Sequence, residues 1–412
     1  MTGIGTSYLR PGSLWRNFMK KLLVFGLALL LLGSALFADD AKVMPLRTGR
    51  LSLAPSFTYG DKNFDKDGSR KDSYDLKAFN FGAALEFGIT KWITGAVQWA
   101  PGVNIYSDAD TKVAYIDMGA GGAVPSKSTV RVLDVGDLFV GAKMQFLGKD
   151  GLVKNEMVRL AFAPGIKIPF GGPDFADEYK NAVKGDKVTA ATMDNHALAA
   201  GLRSYFDFIV NDKFFINFYN EALFYAMKRD LGKVGFEEYI TSYLIDQANA
   251  NSIGAGGPKL FDSGKVKFGY DLTFELEPTF STPVAKGILF TASMPITYKT
   301  TPGKKYDFNY GMAETTKAGL EYLASLEVYG SPAYIGYMTQ AGQIGAVIDQ
   351  AKGLEAKEGQ THALSINPGV AVMFYEWKVP FEFELNYKAP IWGQRASANH
   401  SFVFIAKMFF KI

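Results

Sequence analysis

Ten charged residues stand out because each alternates with apolar neighbours. They are Lys143, Arg159, Lys167 and Arg203 in the first half of the chain, and Glu221, Asp271, Glu275, Glu327, Glu382 and Glu384 further on. Charge at every second position of an apolar run puts the charges on one face of a strand and the apolar side chains on the other. If the charged faces line a tube, a basic arc beside an acidic arc makes a transverse field that tunes which solutes pass. The plainer reading is that these charges pair across a polar interior, and both stand at this point. Catalytic chemistry has little to work with. The sequence has three histidines and no cysteine, and it lacks HExxH, GxSxG and a phosphate-binding GKS or GKT loop. No enzyme activity, metal site or cofactor is therefore expected.

The elements that position these residues are strands. In KVKFGYDLTFELE (265–277), Val266, Phe268, Tyr270, Leu272, Phe274 and Leu276 fall on one face, and the charged and small residues on the other. The same period of two recurs to the end of the chain and predicts strands over 50–59, 78–87, 92–101, 134–147, 157–168, 196–209, 213–227, 265–277, 284–298, 319–329, 333–340, 361–375, 378–389 and 400–412. Connections after odd-numbered strands are long and those after even-numbered strands are short. That sorting, with an apolar and a polar face on every strand, predicts an all-β transmembrane antiparallel barrel of about fourteen strands, twelve being the alternative count. The long loops would be extracellular and the short turns periplasmic. Trp92 and Trp377 fall at short turns and Trp99 and Trp392 near long loops, as two interfacial girdles would require. His196, His362 and His400 fall at outer strand ends in step with apolar Leu198, Leu364 and Phe402, and so are expected in the rim or girdle.

Composition agrees. The 412 residues carry a net charge of +3, which marks no nucleic-acid binder, and a mean hydropathy of +0.01 is too low for a bundle of membrane helices. Met19-Lys20-Lys21 followed by the apolar run Leu22 to Ala38 reads as a secretory signal. The expected division is an upstream extension and signal peptide over 1–38, a short periplasmic N-terminus over 39–49, and a barrel over 50–412. No later run of 18 or more apolar residues occurs, so no membrane-spanning helix is expected. Outer-membrane lipid and, during biogenesis, the barrel-assembly machinery are the expected partners.

The passages LDVGDLFVGAKMQF (133–146), LAFAPGIKIPFGG (160–172) and EFGITKWITGAVQWAPG (86–102) resemble bacterial outer-membrane barrels of the phenol meta-pathway type, which are similar to the long-chain fatty-acid transporter (FadL-like) family. The resemblance implies a fourteen-stranded barrel that passes small hydrophobic solutes without an energy source. It departs from the family in lacking the Asn-Pro-Ala motif of an N-terminal hatch. A polar-solute porin and a surface adhesin or structural barrel are the competing readings. Helical periodicity at 236–248 and 341–356 predicts apolar-faced helices in two long loops. Pro164, Pro295, Pro368 and Pro380 fall inside strand patterns. Since proline donates no backbone bond, each is expected to mark a bulge or gap, with Pro368 and Pro380 bordering a lateral opening.

Overall fold

The alternation settles into a closed wall. A computed structural model describes residues 40–111, 128–130, 134–170, 194–232, 263–355 and 359–411. In chain order the strands begin with β1 (Thr48–Phe64), β2 (Arg70–Gly88), β3 (Ile93–Thr111), β4 (Ser128–Val130), β5 (Leu138–Leu147), β6 (Val158–Ile168) and β7 (Ala199–Asn211). They continue with β8 (Phe214–Tyr225), β9 (Arg229–Gly232), β10 (Ser263–Lys267), β11 (Tyr270–Ala285), β12 (Ile288–Ser293), β13 (Ile296–Thr301) and β14 (Lys305–Asn309). Two helices follow, α1 (Gly311–Leu326) and α2 (Pro332–Glu355). The chain ends with β15 (Thr361–Ile366), β16 (Gly369–Phe374), β17 (Phe381–Gln394), β18 (Ala396–Ser397) and β19 (His400–Lys411).

The wall has twelve antiparallel staves. Around the ring they are β1, β2, β3, β5, β6, β7, β8, β11, the broken stave β12/β13, the broken stave β15/β16, β17 and β19. β19 pairs with β1 from Thr48↔Lys411 to Tyr59↔His400, and this closes the sheet. Its faces are the inverse of a water-soluble core. Leu53, Phe57, Leu85, Val97, Phe206, Phe218, Phe274, Phe383 and Phe404 are exposed outside, while Ser52, Asn80, Gln98, Lys143, Arg159, Asp207, Asn217 and Glu221 are buried inside. That is the arrangement an apolar surrounding medium stabilises.

The strand count is the lower of the two expected. The runs 319–329 and 333–340 are not strands; they fall mainly in α1 and α2. Local chemistry explains the difference. Ser331 Oγ accepts a bond from the Tyr334 backbone N–H at 3.1 Å, so Ser331 caps α2 with Pro332 in its first turn. In α1, Lys317 and Glu321 pair one turn apart at 2.9 Å. Ile344 and Ile348 of the predicted 341–356 helix are buried, whereas 236–248 lies outside the described residues. No helix among the described residues is long and apolar enough to cross a membrane.

The run 265–277 is also divided. Lys265–Lys267 belongs to β10, in a separate three-stranded sheet ordered β14, β10, β9, and the wall resumes at Tyr270. Gly269 turns the chain between them at φ +78, a conformation that favours glycine. Val266 and Phe268 therefore pack among Phe139, Ala197, Ala199, Leu223 and Tyr225, while Phe274 and Leu276, in the same alternation, face outward.

The inverted faces can be tested at Phe383, which points outward beside the Phe404 ring. Phe383→Lys should lower folding stability if this face meets lipid, by less than the ~2–4 kcal/mol of a mid-depth charge, since Phe383 lies three residues from Pro380 at the rim. A urea titration of the refolded barrel in lipid vesicles measures it, and an unchanged midpoint would put this face in water.

Candidate functional site

The charged residues that the alternation sends inward meet mostly across adjacent staves. Arg203 sits directly opposite Glu221, and its Nε donates to Oε1 at 2.6 Å. The same guanidinium lies over the Phe139 ring at 3.8 Å. Arg159 sits opposite Asp207, with Nε 2.9 Å from Oδ2. Lys407, which the sequence reading passed over, donates to Glu382 at 2.7 Å and to Glu384 at 2.8 Å. Tyr225 donates to Asp271 at 2.7 Å. These are short local contacts, so the two opposed arcs of charge give way to paired charges along the wall. Glu327 is not among them. It caps the C-terminal end of α1, outside the wall strands, and is exposed.

The end with the short turns is occupied by the chain itself. The Ala41 N–H donates to both oxygens of Asp207, at 3.2 and 3.1 Å, and Met44 N–H to Thr94 Oγ1 at 2.7 Å. Lys143 Nζ donates to the Asp40 carbonyl at 3.0 Å and Arg159 Nη1 to the Asp40 carboxylate at 3.2 Å. Ala41 is wholly buried. Residues 40–45 thus turn into the short-turn end of the barrel. Nothing in the sequence pattern of this segment announces it, because its partners are set by the three-dimensional closure.

At the long-loop end Lys167 pairs with Asp194, and Asp137 lies 3.9 Å from the same ammonium. His196 stands beside them. Its Nε2 is 3.0 Å from Asp134 and its Nδ1 3.1 Å from Asp137. This residue is buried, which corrects its assignment to the outer rim. The segment before β7 does not keep strand geometry, since His196 has φ +48, and so parity counted from Leu198 fails there. His362 and His400 do lie on the outer face. Each accepts a bond at Nδ1 from a tyrosine, Tyr298 and Tyr387 respectively, when that nitrogen is unprotonated, and each stacks on aromatic rings.

The prolines form the most unusual feature of the wall. Pro295 separates β12 from β13, and Pro368 separates β15 from β16, with the register the same on both sides of each break. The breaks are gaps without bulges. Met294 N–H bonds to the Pro278 carbonyl at 3.2 Å, Asn367 N–H to Pro295 at 2.8 Å, and Tyr387 N–H to Pro368 at 3.0 Å. In an antiparallel ladder each such pair exchanges two bonds. Proline has no N–H to return, so three successive stave interfaces each keep one bond of two at the same height. Pro380 makes a similar half-pair with Phe409, but at the short-turn rim, about 23 Å along β17 from Tyr387. It does not border the gap at Pro368. Pro278 borders the gap at Pro295 instead, and it was missed because β11 was expected to stop at Glu277. Pro164 leaves β6 continuous.

Compared by fold, the chain is similar to an outer-membrane channel from Pseudomonas putida F1, with a TM-score of 0.51 and 10% identity over 91% of this chain and 99% of that one. It also aligns with a Pseudomonas aeruginosa FadL homologue (TM-score 0.32, 8% identity, 94% and 98% covered). A third alignment is with the CymD monoaromatic hydrocarbon channel (TM-score 0.31, 8% identity, 100% and 95% covered). The first of these establishes the fold, an outer-membrane type of β-barrel. No protein family matches the sequence, and no curated protein does.

The His196 cluster lies outside the wall strands and sets a pH dependence. Burial pulls the imidazole downward, but hydrogen bonds and charge from Asp134 and Asp137 outweigh it and raise the value from 6.5 to about 9. The stabilisation is fully present below about pH 6.5 and is lost as pH rises through about 9. It is of the order of 3 kcal/mol. His196→Asn suits the left-handed backbone and removes the charge. The unfolding midpoint of the parent should exceed that of this variant by more at pH 6 than at pH 9.5, as followed by heat-modifiable gel migration. A gap that does not change with pH would show that His196 is neutral.

Proposed function

We propose that the chain is an outer-membrane channel for passive uptake of small hydrophobic or amphiphilic molecules, of the FadL-like kind its sequence resembles, and that cargo leaves sideways through the wall at Pro368. The long-loop end would face outward and the short turns the periplasm. The line of half-bonded pairs at Pro278, Pro295 and Pro368 carries this reading. It lowers the bonding across three neighbouring interfaces by about 1 kcal/mol each. The way straight down is less favourable for greasy cargo, because residues 40–45, the ion pairs of Arg159 and the Lys143 ammonium bonded to the Asp40 carbonyl occupy it. The similar fold from Pseudomonas putida F1, itself an outer-membrane channel, is in keeping with this reading. The reading calls for no catalytic group and no cofactor.

A polar-solute porin is the second reading, favoured by the charged inner face. Pro368→Val separates the two. It returns an N–H to the Tyr387 carbonyl and should slow uptake of a hydrophobic solute severalfold while leaving sugar-driven liposome swelling unchanged. Equal effects on both solutes would remove the lateral route.

The reading also requires export. Asp40 already lies inside the barrel, which suits a mature chain that begins near Asp39 once residues 1–38 are removed. N-terminal sequencing of the membrane-extracted protein should find that start, and a chain beginning at Met1 or Met19 would overturn it.

A further inference from the structure

Most inward charges are paired, but the wall beside the proline line holds two polar atoms that are not. Glu275 on β11 is 5% exposed, and Asn367, in the break between β15 and β16, is 6% exposed. Thr297 joins them. Its Oγ1 donates to Glu275 Oε2 at 2.6 Å and accepts from Asn367 Nδ2 at 2.8 Å. These two bonds fix the direction of the relay, from amide to hydroxyl to carboxylate, and leave an acceptor oxygen at each end. Glu275 Oε1 and Asn367 Oδ1 have no hydrogen-bond partner. Lys299 and Lys388 are on the same inner face; the Lys388 ammonium acts on Glu275 through charge without a hydrogen bond to Oε1.

Buried acceptors without a donor are costly, and a folded protein retains few of them without a reason. Their position supplies one. Asn367 belongs to the middle half-bonded pair, so its own N–H reaches Pro295 while proline returns nothing. Where the wall is least bonded, its inner side therefore presents two oxygens in want of hydrogen.

We propose that Glu275 and Asn367 are the specificity-determining subsite of the channel and receive a hydrogen-bond-donating head, a hydroxyl or an amine, of an amphiphile whose apolar tail enters the wall. The proposal rests on the lateral-channel reading above. In the empty state both oxygens are covered, and movement at the half-bonded line uncovers them. A ligand that only accepts, such as an ether, gains nothing there.

The test is uptake of labelled 1-octanol against its methyl ether by lipopolysaccharide-containing vesicles that hold the refolded full barrel. The parent should take up the alcohol about tenfold faster, the difference expected for one hydrogen bond to a charged acceptor. In Glu275→Gln, Thr297 still donates to the amide oxygen and the NH₂ replaces the free oxygen. The preference should then vanish or invert toward the ether, with ether uptake not reduced. Equal uptake of alcohol and ether by the parent, both above protein-free vesicles, would overturn the subsite and leave the channel standing. So would a preference kept unchanged in a folded Glu275→Gln. Uptake of neither above protein-free vesicles would overturn the channel itself. If the variant does not fold, the parent's ratio alone decides.

Discussion

A sheet that faces lipid has to bond its backbone groups within itself, because no water is at hand to do so. Everything else in this molecule follows from that constraint. Pairing β1 with β19 removes both edges at once, and closure then fixes which residues point outward. Once Leu53 and Phe57 face out, Ser52 and Ser56 must face in, and the same holds around the ring. The interior inherits the polar half of every strand. It is too enclosed to leave those groups solvated singly, so they are used against each other.

The charge pairs are consequences of register. Arg203 meets Glu221, Arg159 meets Asp207 and Lys407 meets Glu382 because each is the direct cross-strand neighbour of its partner. Cross-strand pairs of opposite charge on one face are stabilising, and like charges in those places would not be. This is why many of the residues, but not the pairing between them, were legible in the sequence. Alternation tells which face a side chain takes, and Lys143, Arg159, Lys167 and Arg203 do turn inward. It does not tell which residue of the next strand lies alongside, since that depends on turn lengths and shear. Asp207 and Lys407 went unnoticed for that reason, and Asp40 because it reaches Arg159 from outside any strand.

The misread elements share a cause. A period of two persists across backbone that is not extended. Gly269 splits KVKFGYDLTFELE into two pieces whose apolar residues end in different surroundings, Phe268 in a packed cluster and Phe274 on the outer wall. His196 lies beyond the point where strand geometry begins, so counting parity back from β7 sent it to the wrong side. In the helical hairpin the decisive signal was capping. Ser331 followed by Pro332 starts a helix regardless of the alternating residues that follow. Of the four prolines singled out, Pro295 and Pro368 break their staves, whereas Pro164 does not. The alignment of Pro295 and Pro368 with Pro278 into one line could not be read, because it needs the register of four staves.

That alignment bears on how much disorder the wall tolerates. Scattered prolines would each weaken one interface and leave intact neighbours to hold the gap closed. Here Pro278, Pro295 and Pro368 act at one height on three consecutive interfaces, so there is no fully bonded interface between them to resist separation. Above and below, the ladders of β12 with β16 and β13 with β15 resume in unchanged register. The weakness is therefore confined to a short band, and the inner side of that band is where Glu275 and Asn367 keep unpaired oxygens. A deficit in backbone bonding and a deficit in side-chain bonding fall together. Each adds to the cost of the empty closed state, and a ligand that donates a hydrogen bond reduces the second while its tail fills the space opened by the first. Under the proposed lateral route, the same few residues favour opening when such cargo is present.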